Sequence, residues 1–152
     1  MKEKVSALSA GDLTYFEALR DWLRAHFKQE DRDKYNDLNG KLFLVDHIVK
    51  NNLFDRNAES QMQALGVGLG DALAQKLGME WVIVEADNER FPMLSLPGTS
   101  LRLSAFTMVQ KRVMQGEQFD IFSLFGALCH QIETIRAPKR SLLGRLFGPK
   151  LT

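Results

Sequence analysis

The stretch QALGVGLGDALAQKLGMEW, residues 63–81, decides the fold, because Gly66, Gly68 and Gly70 at alternate positions are either a phosphate cradle or the close-packed face of a helix. A dinucleotide site needs G-x-G-x-x-G directly after a strand and opening a helix, so that backbone N–H groups meet the pyrophosphate. Here the spacing is G-x-G-x-G, and the preceding AESQMQAL is helical in pattern. No Gly-Lys-Ser/Thr follows, which removes a P-loop. The apolar stripe Met62, Leu65, Leu69, Leu73 and Leu77 instead runs through the glycines at helical spacing. Each glycine costs a helix ~1 kcal/mol relative to alanine. Gly66 and Gly70 share a helix face, so another backbone or a large ring is expected against them, from the Trp81 strand or a second helix. Gly78 stands where a C-terminal cap belongs.

Two helices are expected upstream. Ser9 is placed to cap the first, in which Leu13, Phe16, Leu19, Leu23 and Phe27 recur every three or four residues. The charged run KQEDRDKYND reads as a solvated connection, and Leu38, Leu42, Val45, Val49 and Leu53 then repeat the helical spacing. Downstream of Gly78 the period becomes extended. EWVIVEA carries apolar residues on both alternating faces, ADNER is a turn, and FPMLSL is a second strand with Pro92 favouring an edge or a strand start. After the PGTS turn, LRLSA alternates as a third. Ser104 is expected to cap a helix that stops at Gly116, and Asp120 a last helix bearing Ile121, Leu124, Phe125, Leu128, Ile132 and Ile135, limited by Pro138. The expected architecture is an α+β domain over residues 1–138, its helices packed mainly on one face of a small three-stranded antiparallel meander.

With 152 residues the chain has an ordinary single-domain size, enough to remove roughly 70% of the unfolded surface from water. No segment approaches the ~20 apolar residues of a membrane span, and MKEKVSALSAGD lacks a signal peptide's apolar region. Cys129 is the only cysteine, so no intrachain disulfide forms. A cytoplasmic location is the expectation. The net charge of +1 hides an asymmetry: Arg136, Lys139, Arg140, Arg145 and Lys150 stand in a C-terminal stretch without acids, and removing those five leaves 15 bases against 19 acids. A mildly acidic body repels nucleic-acid phosphates, so no specific nucleic acid is expected.

ALGVGLGDALAQKLGMEWVIVE, followed by LPGTS and FTMVQKRV, resembles the bacterial family catalogued as domain of unknown function 3806, over residues 60–128 or so. The resemblance implies a compact α+β domain and supplies no activity and no functional residues.

His26, His47 and His130 are not paired with other ligand types at helical spacing, so no metal site is expected, and no cofactor. Cys129 and His130 are helix neighbours that do not face each other, and beside Leu128 and Ile132 the thiol reads as buried and inert. G-x-S-x-G is absent. Glu85, Asp87, Glu89 and Arg90 read as a solvated turn. Thr99, Ser100, Thr107, Lys111 and Arg112 are the candidate ligand residues, offering donors for an anion or an acidic peptide near a helix start. In the tail, residues 139–152, Arg140 and Arg145 flank Leu142, Leu143, Leu146 and Phe147, an amphipathic partner motif for an unknown protein that also admits weak contact with an anionic membrane. The leading expectation is a non-catalytic binding or protein-interaction module. The alternative is a small enzyme with a polar site at the strand turns and the Thr107/Lys111 helix.

Overall fold

The computed structural model describes the backbone of residues 3–147 and the side chains of residues 3–136. In chain order it contains β1 (Lys4–Ala7), α1 (Ala10–Arg24), a 3-10 helix (Gln29–Asn36), α2 (Leu38–Lys50), α3 (Glu59–Leu77), β2 (Glu80–Ala86), β3 (Glu89–Ser95), β4 (Arg102–Leu103), α4 (Ala105–Met114) and α5 (Ile121–Phe147). The class is α+β as expected. The sheet, however, has four antiparallel strands in the order β1-β2-β3-β4, not three. The added strand is the short N-terminal KVSA, which pairs Val5 with Val84 across about half the chain.

The glycine helix α3 is the centre of the molecule, packed by α1, α2, α4 and α5. Residues Ala64–Gly70 are buried without interruption, as in a helix surrounded on all sides. Both expected neighbours of its glycine face are present. A Cβ on Gly66 would stand 2.2 Å from the carbonyl oxygen of Phe106 in the first turn of α4, and one on Gly70 would stand 2.2 Å from the Trp81 ring of β2. Phe16 of α1 completes this seam, edge-on to Trp81 at 5.0 Å and stacked with Phe106 at 5.5 Å. Gly78 ends α3 in the left-handed conformation at φ +69°. Its turn sends the chain directly into β2.

Register explains the sheet's two faces. Trp81 stands opposite Leu94, both packed with the helical core, whereas Val5 and Phe91 flank Val84 on the other face and are exposed. Asp87 and Asn88 both take positive φ, which makes the expected turn a two-residue hairpin whose twist suits the strands. Pro92 pairs with Ile83 where β4 does not reach, since β4 pairs only Leu94 and Ser95, so its missing N–H leaves no ladder bond unmade on that side.

Four local expectations change. Tyr35 of the charged run is buried at 3% exposure, so that run is a 3-10 helix with an anchor and not a plain solvated connection. Ser104 precedes α4 without a side-chain cap hydrogen bond. Arg90 is not a free member of a solvated turn: it grips Asp12 with two bonds of 2.9 and 3.0 Å. Asp12 also closes a capping box with Ser9 at the start of α1, and Arg90 holds its carboxyl well below the usual carboxylate range. The stabilisation is therefore complete above the ordinary carboxylate pKa and is lost only as pH falls through the depressed one. Finally, α5 continues through Pro138 to Phe147. The carbonyl that loses its partner there belongs to Thr134, an exposed residue whose oxygen is open to solvent, which lowers the cost of the missing N–H.

Cys129 is half-buried and packed on the core beside Leu128 and Ile132, and burial, then the Glu133 charge, pushes its thiol up. Alkylation by iodoacetamide is expected to be several-fold slower in the folded protein than after denaturation. Equal rates, followed by mass spectrometry, would place the sulfur outside the packing.

Candidate functional site

The polar residues singled out in the sequence fall on two elements, the turn after β3 and helix α4. Thr99 turns its hydroxyl inward to its own loop, donating to the Leu96 carbonyl at 2.8 Å and accepting from the Leu101 N–H at 3.0 Å. Ser100 is exposed in the same turn, and Thr107 lies half-buried one turn before exposed Lys111 on α4. Arg112 leans toward Glu117 at 3.9 Å. The tail residues Arg140, Leu142, Leu143, Arg145, Leu146 and Phe147 lie outside the described side chains. Among the described residues no group of three or more His, Cys, Asp or Glu is placed to hold a metal.

The strongest polar constellation is structural. Asp71, the one acid in the middle of α3, accepts from Arg20 Nε at 2.7 Å and Nη2 at 2.9 Å, from the Tyr35 hydroxyl at 2.6 Å and from Trp81 Nε1 at 3.0 Å. Four donors saturate a carboxylate, so nothing is left for a substrate. Burial, then the Asp71 charge, pushes the Tyr35 phenol well up and keeps it a proton donor. Gly70 has a second consequence here: by admitting the Trp81 ring against α3 it lets the indole N–H reach the neighbouring Asp71.

A cleft of about 440 Å3 opens instead where α2 and α4 end. The two helices stop in the same way. Beyond α2, Asn52 takes φ +52° and donates to the Val49 carbonyl, and the Leu53 N–H returns to Ile48. Beyond α4, Gly116 takes φ +70° and donates to Val113, and the Glu117 N–H returns to Arg112. Both are Schellman stops, which use the last helical carbonyls and turn the chain sharply aside. Each loop then presents a Phe-Asp pair, Phe54-Asp55 and Phe119-Asp120.

The cleft's apolar wall is Val49, Phe54, Val113 and Phe119, all continuous with the core. Its charged liners are Lys50, Arg56 and Glu117. Lys50 Nζ bridges Asp46 and Asp120, each at 2.9 Å. Asp120 and Asp46 also accept the Ser123 and Ile121 N–H groups at the start of α5. Asp120, then Asp46, pushes the Lys50 ammonium up, and Lys50 in turn draws the Asp120 carboxyl down. Arg56 lies over the Phe54 ring at 5.8 Å and donates to Asn52 Oδ1 at 3.3 Å.

None of the wall is singled out in the sequence beyond Val49 as a stripe residue. Gly116 was legible as a stop. Asn52 is the matching signal, since asparagine is the second choice for a left-handed cap, but it stands inside the stripe as read to Leu53, whereas α2 ends at Lys50. A second, more open groove of about 670 Å3 lies at the opposite end of α2, lined by Phe27, Leu38 and 58%-exposed Phe43 with Asp31, Lys34 and Asp37.

A family model described as Domain of unknown function (DUF3806) matches residues 41–125. The match begins nearer the N-terminus than the motifs at 60–128 and contains every residue that lines the α2–α4 cleft. No curated protein matches the sequence. Among solved structures, a crystal structure from Bacteroides thetaiotaomicron VPI-5482 at 1.50 Å resolution is similar, with a TM-score of 0.65 and 14% identity over 85% of this chain and 48% of that one. The chain spans about half the length of that protein, and the likeness is one of fold.

Proposed function

From the premise that this chain belongs to the DUF3806 family, we propose that the cleft inside the family's segment is the ligand seat of a non-catalytic, cytoplasmic binding module. One observation carries the reading: an apolar wall open to solvent stands beside a lysine already held between two carboxylates. General acid–base work needs groups poised near the working pH. Lys50 is pushed away from neutrality in one direction and Asp120 in the other, so both stay charged and serve to hold α5 against α2. Val49, Phe54, Val113 and Phe119 share the lining about evenly with Lys50, Asn52, Arg56, Glu117 and Gln118, a mixed surface suited to a ligand with an apolar and a polar end, and the cleft's volume lies in the ~300–1,000 Å3 range of recognition sites. No transmembrane helix is present among the described residues, and a lone cysteine suits a reducing compartment.

The test is site-specific photocrosslinking in the native cell. Benzoylphenylalanine placed at Gln118, an exposed liner of the cleft, is expected to give a discrete adduct. The same group at exposed Asn88 in the hairpin should give none. Matching adducts from both positions, or none from Gln118, would overturn the seat.

A further inference from the structure

We infer that the cleft takes a small apolar monocarboxylate, its carboxylate meeting Arg56 and its apolar body lying along Phe54, Val49 and Phe119; this rests on the binding-module reading above. The three charged liners are not equivalent. Lys50 is held between two carboxylates, and Glu117 lies near Arg112. Among the described residues Arg56 has no carboxylate within 4.0 Å, and one bond to Asn52 uses only one of its five donors. A guanidinium carries its donors as a planar fork that matches the two oxygens of a carboxylate.

Placement adds the apolar requirement. The guanidinium lies over Phe54, itself part of the wall, so an anion docked on Arg56 has its substituent delivered to apolar surface. A simple inorganic anion would leave that surface wet. Charge number follows from the other liner. Glu117 faces the same cleft, with Asp46 and Asp120 behind Lys50, so a dianion meets repulsion that a monoanion largely avoids.

The experiment titrates the full chain with 4-phenylbutyrate, with 4-phenylbutan-1-ol and with inorganic phosphate, following backbone amides by NMR. The acid is expected to shift Asn52, Phe54, Gly116 and Phe119 saturably and to bind about five-fold tighter than the alcohol. Added salt should narrow that gap. Arg56→Ala should erase the gap and leave the alcohol's affinity, and Arg56→Glu should put the acid below the alcohol. Arg56 is exposed, and unchanged amides elsewhere confirm that the variants fold. Equal affinity of acid and alcohol for the parent protein overturns the carboxylate and leaves the seat standing. A five-fold gap that persists in Arg56→Ala removes Arg56 as its cause, and phosphate binding tighter than the acid overturns the monoanion. No shift at the cleft from any of the three overturns the seat itself.

Discussion

Asp71→Ala is expected to destabilise the protein by about 3–5 kcal/mol, the loss typical of removing one partner from a buried ion pair. The side chain is only 10% exposed and Arg20 only 19%, so the pair lies largely out of water. Without the carboxylate, the Arg20 guanidinium, the Tyr35 hydroxyl and the Trp81 N–H lose their acceptor together. Denaturant melts measure the change, and a loss below about 1 kcal/mol would reduce the network to the value of a surface pair. Asp71→Asn keeps the shape and one acceptor oxygen but turns an amide N–H toward other donors, so its loss should be smaller, about 1–3 kcal/mol.

A double-mutant cycle separates the network from simple packing. Tyr35→Phe alone removes one donor and leaves the carboxylate served by Arg20 and Trp81, an expected cost of about 1 kcal/mol. In the Asp71→Ala background the same change removes an orphaned hydroxyl, and its cost should vanish or reverse. Additive losses would mean that Tyr35 and Asp71 do not act as one unit.

That network shows what the sequence could and could not yield. Signals within one turn of chain were legible: Ser9 before α1, Asp120 before α5, Gly78 after α3 and the Asp87-Asn88 hairpin all act through neighbouring backbone groups. An acid inside GLGDAL, in a helix buried on all sides, signals a partner but not its identity. Tyr35 is 36 positions away, in a run whose charges hide its one buried ring. Strand β1 was illegible for the same reason. Four residues make no pattern, and Val5 becomes a strand residue only because Val84 arrives beside it. The cleft joins two helix stops more than 60 residues apart, so each loop read alone looks like solvent. Thr99 shows the converse: its hydroxyl is legible as a donor, while the carbonyl it donates to, that of Leu96, lies in its own turn.

Gly66→Ala is expected to cost about 2–3 kcal/mol, although alanine is the better helix former by ~1 kcal/mol. The obstacle decides the sign. The new methyl meets the carbonyl oxygens of Phe106 at 2.2 Å and Ala105 at 2.8 Å, and backbone in the first turn of α4 cannot step aside without moving the helix. Gly68 supplies the contrast, because its methyl would meet the Val45 side chain at 2.5 Å and Leu23 at 3.2 Å. Shortening Val45 to alanine should therefore recover part of the Gly68→Ala loss, whereas shortening Phe106 to leucine should recover none of the Gly66→Ala loss. Melts of the two singles and two doubles make the comparison. Gly66→Ala that leaves stability unchanged or raises it would mean that helix propensity outweighs the contact, and that α4 does not rest its backbone on this face of α3.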